Sequence, residues 1–228
     1  GLYVRLTIAE TPIFRAAVGR SERVKIPILT VLRDHGFTLL VGTMSSLATF
    51  VIFYLMTVFT LSWGTTMLGF SREAFLRIQL LGVVFFGLAI PVSARLAERG
   101  RRRVLIGATL AIIAFGLVMA QLFVAGTVGA ALTLIIGLAL MGLTYGPLGT
   151  VLSELFPTPV RYTGSSLTFN LAGIVGASFA PYIATALANT YGLQYVGYYL
   201  SGVGVVTLVG LLAIRETRDA DLSSPQHP

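Results

Sequence analysis

Six stretches of mostly apolar residues divide the chain, each about long enough to cross the hydrocarbon core of a bilayer as a helix. They run roughly Gly36 to Leu61, Ala74 to Ala94, Val104 to Ala125, Gly129 to Ser153, Gly164 to Ala188 and Val196 to Ile214. Inside hydrocarbon no water meets a backbone amide, so each segment must satisfy its own amides as a helix. The short alternating segments of a membrane barrel are not seen. The expected fold class is an all-α membrane protein with six transmembrane helices over 36–214. A connector at 1–35 precedes the bundle and a tail at 215–228 follows it.

Basic residues give the bundle a direction. Arg5, Arg15, Arg20, Arg23, Lys25 and Arg33 precede the first span, and Arg95, Arg99, Arg101, Arg102 and Arg103 join the second to the third. Arg161 lies between the fourth and fifth, and Arg215 and Arg218 are in the tail. Fourteen of the sixteen Lys and Arg residues thus fall on one side, and only Arg72 and Arg77 on the other. Cytoplasmic loops carry the excess of Lys and Arg. Both termini, the connector and the tail are therefore expected in the cytoplasm of a multi-pass cell-membrane protein. The same asymmetry explains the net charge of +7 without a nucleic-acid partner.

Composition agrees. Charged residues make up 11% of the 228 and hydrophobic ones 55%, with a mean hydropathy of +0.86. About 25% charged is usual for a soluble domain, so a soluble enzyme or nucleic-acid binder is disfavoured. No cysteine is present, which excludes thiol chemistry and disulfides. The chain opens at Gly1 with no signal peptide, and reads as a piece of something longer or a processed product. In the connector, Thr11-Pro12 resembles a helix start and Pro27 opens a short helix leading into the first span. The tail from Ser223 to Pro228 is expected to be disordered.

Small residues recur at helical spacing: Ala139, Gly142, Gly146, Gly149 and Ser153 in the fourth span, and Thr168, Ala172, Gly176 and Ala180 in the fifth. Such stripes let helices approach closely, and plain packing is the favoured reading. Pro147 and Pro181 should kink or loosen their helices. No Asp, Glu, Lys or His lies centrally in any span. Arg77 is within a span, about one turn from its outer end. It either snorkels to the interface or turns inward to hold an anionic substrate. Tyr54, Tyr145 and Asn170 are the other candidate substrate contacts. Each alone is an ordinary interhelical hydrogen bonder, and together on one cavity they form a site. Thr43, Phe50, Tyr54 and Thr57 share a face at 3.6-residue spacing. No Walker loop, HExxH or paired catalytic group is found, so neither enzyme chemistry nor a cofactor is expected.

The loop Arg95-Leu96-Ala97-Glu98-Arg99-Gly100-Arg101-Arg102-Arg103 resembles the signature loop of the major facilitator superfamily, although Glu98 stands where Asp is usual and a residue is missing after Arg99. Gly1 to Arg5 followed by Glu10-Thr11-Pro12-Ile13-Phe14 resembles the stretch after helix six of the metabolite:proton symporters. Tyr145-Gly146-Pro147, Ser153 to Thr158 and Arg161 to Ser166 look like their helix ten to eleven junction. Asn170, Gly173, Gly176 and Ala180-Pro181 continue that pattern, and Tyr54 to Phe59 looks like helix seven. The resemblance implies helices seven to twelve, the second half of a twelve-helix carrier whose N-terminal six-helix half is missing here. It also implies proton-driven uptake of a small organic acid or zwitterionic metabolite by alternating access.

On that reading Glu98, Arg99, Gly100, Arg101, Arg102, Glu154 and Arg161 form a cytoplasmic gate motif. Glu98 and Arg99 are expected to make ion pairs with Glu154 and Arg161. The alternative is an anchor that only fixes topology. The proton carrier is expected in the missing half, because this half has no central carboxylate. The rival readings are a self-associating six-helix protein and a non-transporting remnant. The membrane half of an ABC exporter is disfavoured by short loops.

Overall fold

The structure is a computed structural model that describes residues 27–98 and 100–214. The Thr11-Pro12 helix start, Arg99 and the tail lie outside the described residues.

Helix α1 (Pro27–Asp34) begins on its proline, which fits the first helical position because that amide has no partner there in any case. Six long helices follow: α2 (Gly36–Thr66), α3 (Arg72–Ala97), α4 (Arg101–Phe123), α5 (Gly126–Glu154), α6 (Thr158–Tyr191) and α7 (Gln194–Ala213). All six are long and apolar enough to cross a membrane. They extend a few residues past the apolar windows, because polar ends continue the helices. Arg72 and Glu73 start α3, and Ser71 caps it by accepting the Ala74 amide at 3.2 Å. Arg101 to Arg103 form the first turn of α4.

α3 packs chiefly on α5, α5 on α4, α4 on α7, α7 on α2, and α2 on α6. α2 is the most enclosed span and α3 the least. Lipid offers apolar side chains as good an environment as protein does, so close fit rather than water exclusion holds such helices together. Glycines supply that fit. A Cβ on Gly142 would come within 2.5 Å of the Phe86 carbonyl, and one on Gly197 within 2.1 Å of the Gly116 carbonyl. Gly142 and Gly146 therefore face α3, whereas Gly149 looks into open space. Thr168, Ala172, Gly176 and Ala180 form the buried edge of α6. Hydroxyls add interhelical bonds: Thr207 accepts the Ala48 amide at 3.0 Å, and Ser201 donates to the Ile113 carbonyl at 2.8 Å. The outward faces carry large apolar side chains such as Leu80, Val84 and Leu88 on α3 and Leu110, Leu117 and Val118 on α4. That is the surface of a lipid-facing bundle.

Two spans contain a widened π turn, Leu55–Phe59 in α2 and Ile174–Ser178 in α6. In the first, the Thr60 amide bonds the Leu55 carbonyl, five residues back. The wider turn shifts the helical register. The face that regular spacing assigns jointly to Tyr54 and Thr57 therefore does not continue unbroken beyond Tyr54.

Candidate substrate face and basic-end gate

Tyr54 is the last residue of regular helix before the π turn of α2. Its ring is half-buried and meets Phe53 edge-on at 5.2 Å. Tyr145, on α5, is exposed and lies 5.9 Å from Phe86 of α3, ring to ring. Asn170, on α6, is exposed, and its amide donates to the Ser166 carbonyl at 2.8 Å within its own helix. Phe169 beside it meets Phe50 of α2 edge-on at 4.9 Å. The α3–α5 pair thus presents one tyrosine and the α2–α6 pair presents the other with the asparagine. Among the described residues no hydrogen bond or ring contact joins the three to one another. The hydroxyls of Thr43 and Thr57 are taken by carbonyls of their own helix, Leu39 at 2.8 Å and Phe53 at 2.7 Å.

Arg77 stands apart from these residues. Its guanidinium donates to Glu73 at 2.6 Å, one turn back on α3, with both side chains more than three-quarters exposed. Phe75, Gln79 and Gly82 mark the buried side of α3, and at 100° per residue Arg77 lies almost opposite them. The neighbour the sequence left unassigned is Gln79. It is buried, and its Nε2 donates to the carbonyls of Met56 at 3.1 Å and Thr57 at 2.9 Å, inside the π turn of α2. The four- and three-residue spacing from Phe75 to Gln79 and from Gln79 to Gly82 is the signal that places it on the packed side.

At the basic end, Glu98 and Gly100 lie in the turn from α3 to α4. Gly100 has φ +145° and ψ +106°, a conformation strained for any residue with a Cβ. Among the described residues, one ion pair forms there. Arg101 donates to Glu154, tying the start of α4 to the end of α5. Arg161 instead donates from Nε to the Phe156 carbonyl at 3.3 Å, in the turn that starts its own helix. Arg101 begins the helix packed beside α5, which brings it to Glu154. The Glu154 side chain is 11% exposed and that of Arg101 30%. A carboxylate this covered requires a partner. Arg102 donates to the Leu211 and Leu212 carbonyls at 2.8 and 2.9 Å, satisfying the end of α7. A helix dipole disfavours a carboxylate at a C-terminus and arginines at an N-terminus. These charges therefore serve contacts between helices rather than the helices that bear them. Glu98 and Arg101 line a pocket of about 330 Å³ with Ala94, Gly146, Pro147 and Thr150.

Six membrane-capable helices, with no metal-ligand cluster among the described residues, define the class: a multi-pass membrane protein. Residues 36–223 match the profile of the sugar (and other) transporter family. An inner membrane metabolite transport protein of Escherichia coli (strain K12) is 42% identical over 97% of this chain and 52% of its own length. A putative metabolite transport protein of Haemophilus influenzae is 37% identical over 98% of the chain and 54% of its own length. A citrate-proton symporter of Klebsiella pneumoniae is 30% identical over 92% of the chain and 47% of its own length. The chain belongs to the sugar (and other) transporter family of the major facilitator superfamily, a family of transporters rather than enzymes. It spans about half the length of the curated relatives it matches.

Proposed function

We propose that the chain is the second six-helix half of a proton-coupled carrier for small organic acids or zwitterionic metabolites. It works by alternating access against a first half of similar size, in the cell membrane, with the basic end and both termini cytoplasmic. The observation that carries this reading is the alignment of nearly the whole chain with half of metabolite transporters, one of them named a citrate-proton symporter. The basic asymmetry of the loops supports the orientation.

In this reading Tyr54, Tyr145 and Asn170 line the substrate face on α2, α5 and α6. Arg77 is held by Glu73 at the outer rim, where it screens anions entering the face. Residues 1–35 connect the halves and 215–228 form the tail. The gate is built on Arg101–Glu154. With Glu98, Gly100 and Arg102, and with Arg99 and Arg161 as further cations, it fixes the cytoplasmic ends of α3, α4, α5 and α7 in one access state. The proton carrier belongs to the first half, since no span here holds a central carboxylate.

The test is uptake of labelled citrate, other small organic acids and proline by cells expressing the full-length protein, with and without a protonophore. Uptake that the protonophore collapses supports the reading. Uptake unaffected by it removes proton coupling, and no uptake of any of them removes the substrate class. Glu154→Gln, which leaves the covered Arg101 without its counter-ion, should cost roughly 1–3 kcal/mol in the closed-gate state. It should shift the accessibility of cysteines placed at the gate toward the cytoplasm. Unchanged accessibility sinks the gate.

A further inference from the structure

The three consecutive arginines at the start of α4 have divided roles. Arg101 is bonded to Glu154 and Arg102 to the end of α7. Arg103 is exposed and has no bonded partner among the described residues. It stands instead at the mouth of an open groove of about 420 Å³. Gly107, Ala108 and Ala111 of α4 form the floor, with Leu96 of α3 and Leu143 of α5 as walls. Among the described residues, Arg103 is the only charged one in that lining, which holds no carboxylate. A Cβ on Gly107 would meet nothing within 4 Å, so the groove is open where the helix is narrowest.

Charge and depth together select the occupant. From Arg103 to Ala111 the helix rises about 12 Å, at 1.5 Å per residue. The groove therefore starts in the first turn of a membrane-spanning helix, at the level of lipid headgroups, and runs into the apolar zone. An apolar slot with a cation at its interfacial end and no carboxylate among its described lining residues is complementary to a hydrocarbon chain that ends in a negative group. We propose that the groove seats one acyl chain of an anionic phospholipid, with the lipid phosphate against the Arg103 guanidinium. The proposal does not depend on the transported substrate or on proton coupling. A basic loop that only fixed topology would need no apolar slot beside an arginine that has no bonded partner among the described residues.

The experiment is native mass spectrometry of the full-length protein in detergent, titrated separately with phosphatidylglycerol and with phosphatidylcholine of the same chains. Wild type should retain phosphatidylglycerol more tightly than phosphatidylcholine. Arg103→Gln should weaken the tightest phosphatidylglycerol binding about fivefold, the effect of one cation near a membrane surface, and leave phosphatidylcholine unchanged. Gly107→Leu, whose side chain enters open space, should remove the bound phosphatidylglycerol while Tm in lipid-free detergent stays as in wild type. Arg95→Gln, outside the groove, should change neither titration. The proposal is overturned if Arg103→Gln and Gly107→Leu bind phosphatidylglycerol as wild type does, or if Arg95→Gln loses as much as Arg103→Gln. It is also overturned if Gly107→Leu destabilises the protein without lipid, which would mean that protein covers the groove.

Discussion

The two π turns have the same shape and different causes. In α6 the turn at Ile174–Ser178 lies just ahead of Pro181. That proline has no amide proton and its ring crowds the preceding turn, so the chain itself forces the widening. In α2 the turn at Leu55–Phe59 has no proline near it. There carbonyls of the wider turn accept side-chain donors. Gln79 of α3 donates to Met56 and Thr57, and the Thr60 hydroxyl donates to Met56 at 2.7 Å. The first distortion belongs to one helix. The second is shared, so α3 cannot slide along α2 without unmaking it. These are two different joints, one intrinsic and one clamped between neighbours.

Replacing the clamp should have the largest effect. Gln79→Leu fills the space but takes one donor from each of two carbonyls, leaving Met56 with the Thr60 hydroxyl and Thr57 with no side-chain donor, at a cost of about 2 kcal/mol. Thermal unfolding of the full-length protein in detergent should show a clear drop in Tm, and transport should fall with it. A Tm within a degree of wild type would mean that the clamp is incidental. Pro181→Ala should behave oppositely. The restored amide lets α6 close its ladder, and stability should hold or rise by up to about 1 kcal/mol. Transport should still fall, because the intrinsic joint is lost. If Pro181→Ala destabilises as much as Gln79→Leu, the two joints are alike and the comparison fails.

The same contrast explains what the sequence could reveal. The six spans, the helix start at Pro27 and the loosening at Pro181 were all legible, because each follows from a local property of the chain: hydropathy, a missing amide, a fixed φ. The Arg101–Glu154 contact was half legible. Glu154 and Arg101 both stood out by type and place, but the pairing depends on which helix ends meet, and that is a tertiary fact. Arg77 drew attention because a charge in a span is conspicuous, yet it is satisfied by Glu73 one turn away on its own helix. Gln79, two residues on, carries no charge and does not stand out in the sequence. Pro91, inside α3 on an exposed position, also went unremarked. Sequence shows what a residue is. The value of Gln79 lies in carbonyls 22 and 23 positions earlier, inside the widened turn of α2.

The smallest expected effect is the most diagnostic. Thr60 is fully buried, and Thr60→Val keeps its shape while removing one of the two side-chain donors on the Met56 carbonyl. With Gln79 in place that carbonyl remains satisfied, so the loss should be about 0.5–1 kcal/mol. In a Gln79→Leu background the same change takes away the last side-chain donor on Met56, and its cost should rise by about 1 kcal/mol. A double-mutant cycle in detergent reads this coupling directly. Coupling of that sign means that Gln79 and Thr60 serve one strained carbonyl and that the π turn of α2 is held by both. Additive losses would mean that the backbone satisfies Met56 alone, and the joint in α2 would then be as intrinsic as the one in α6.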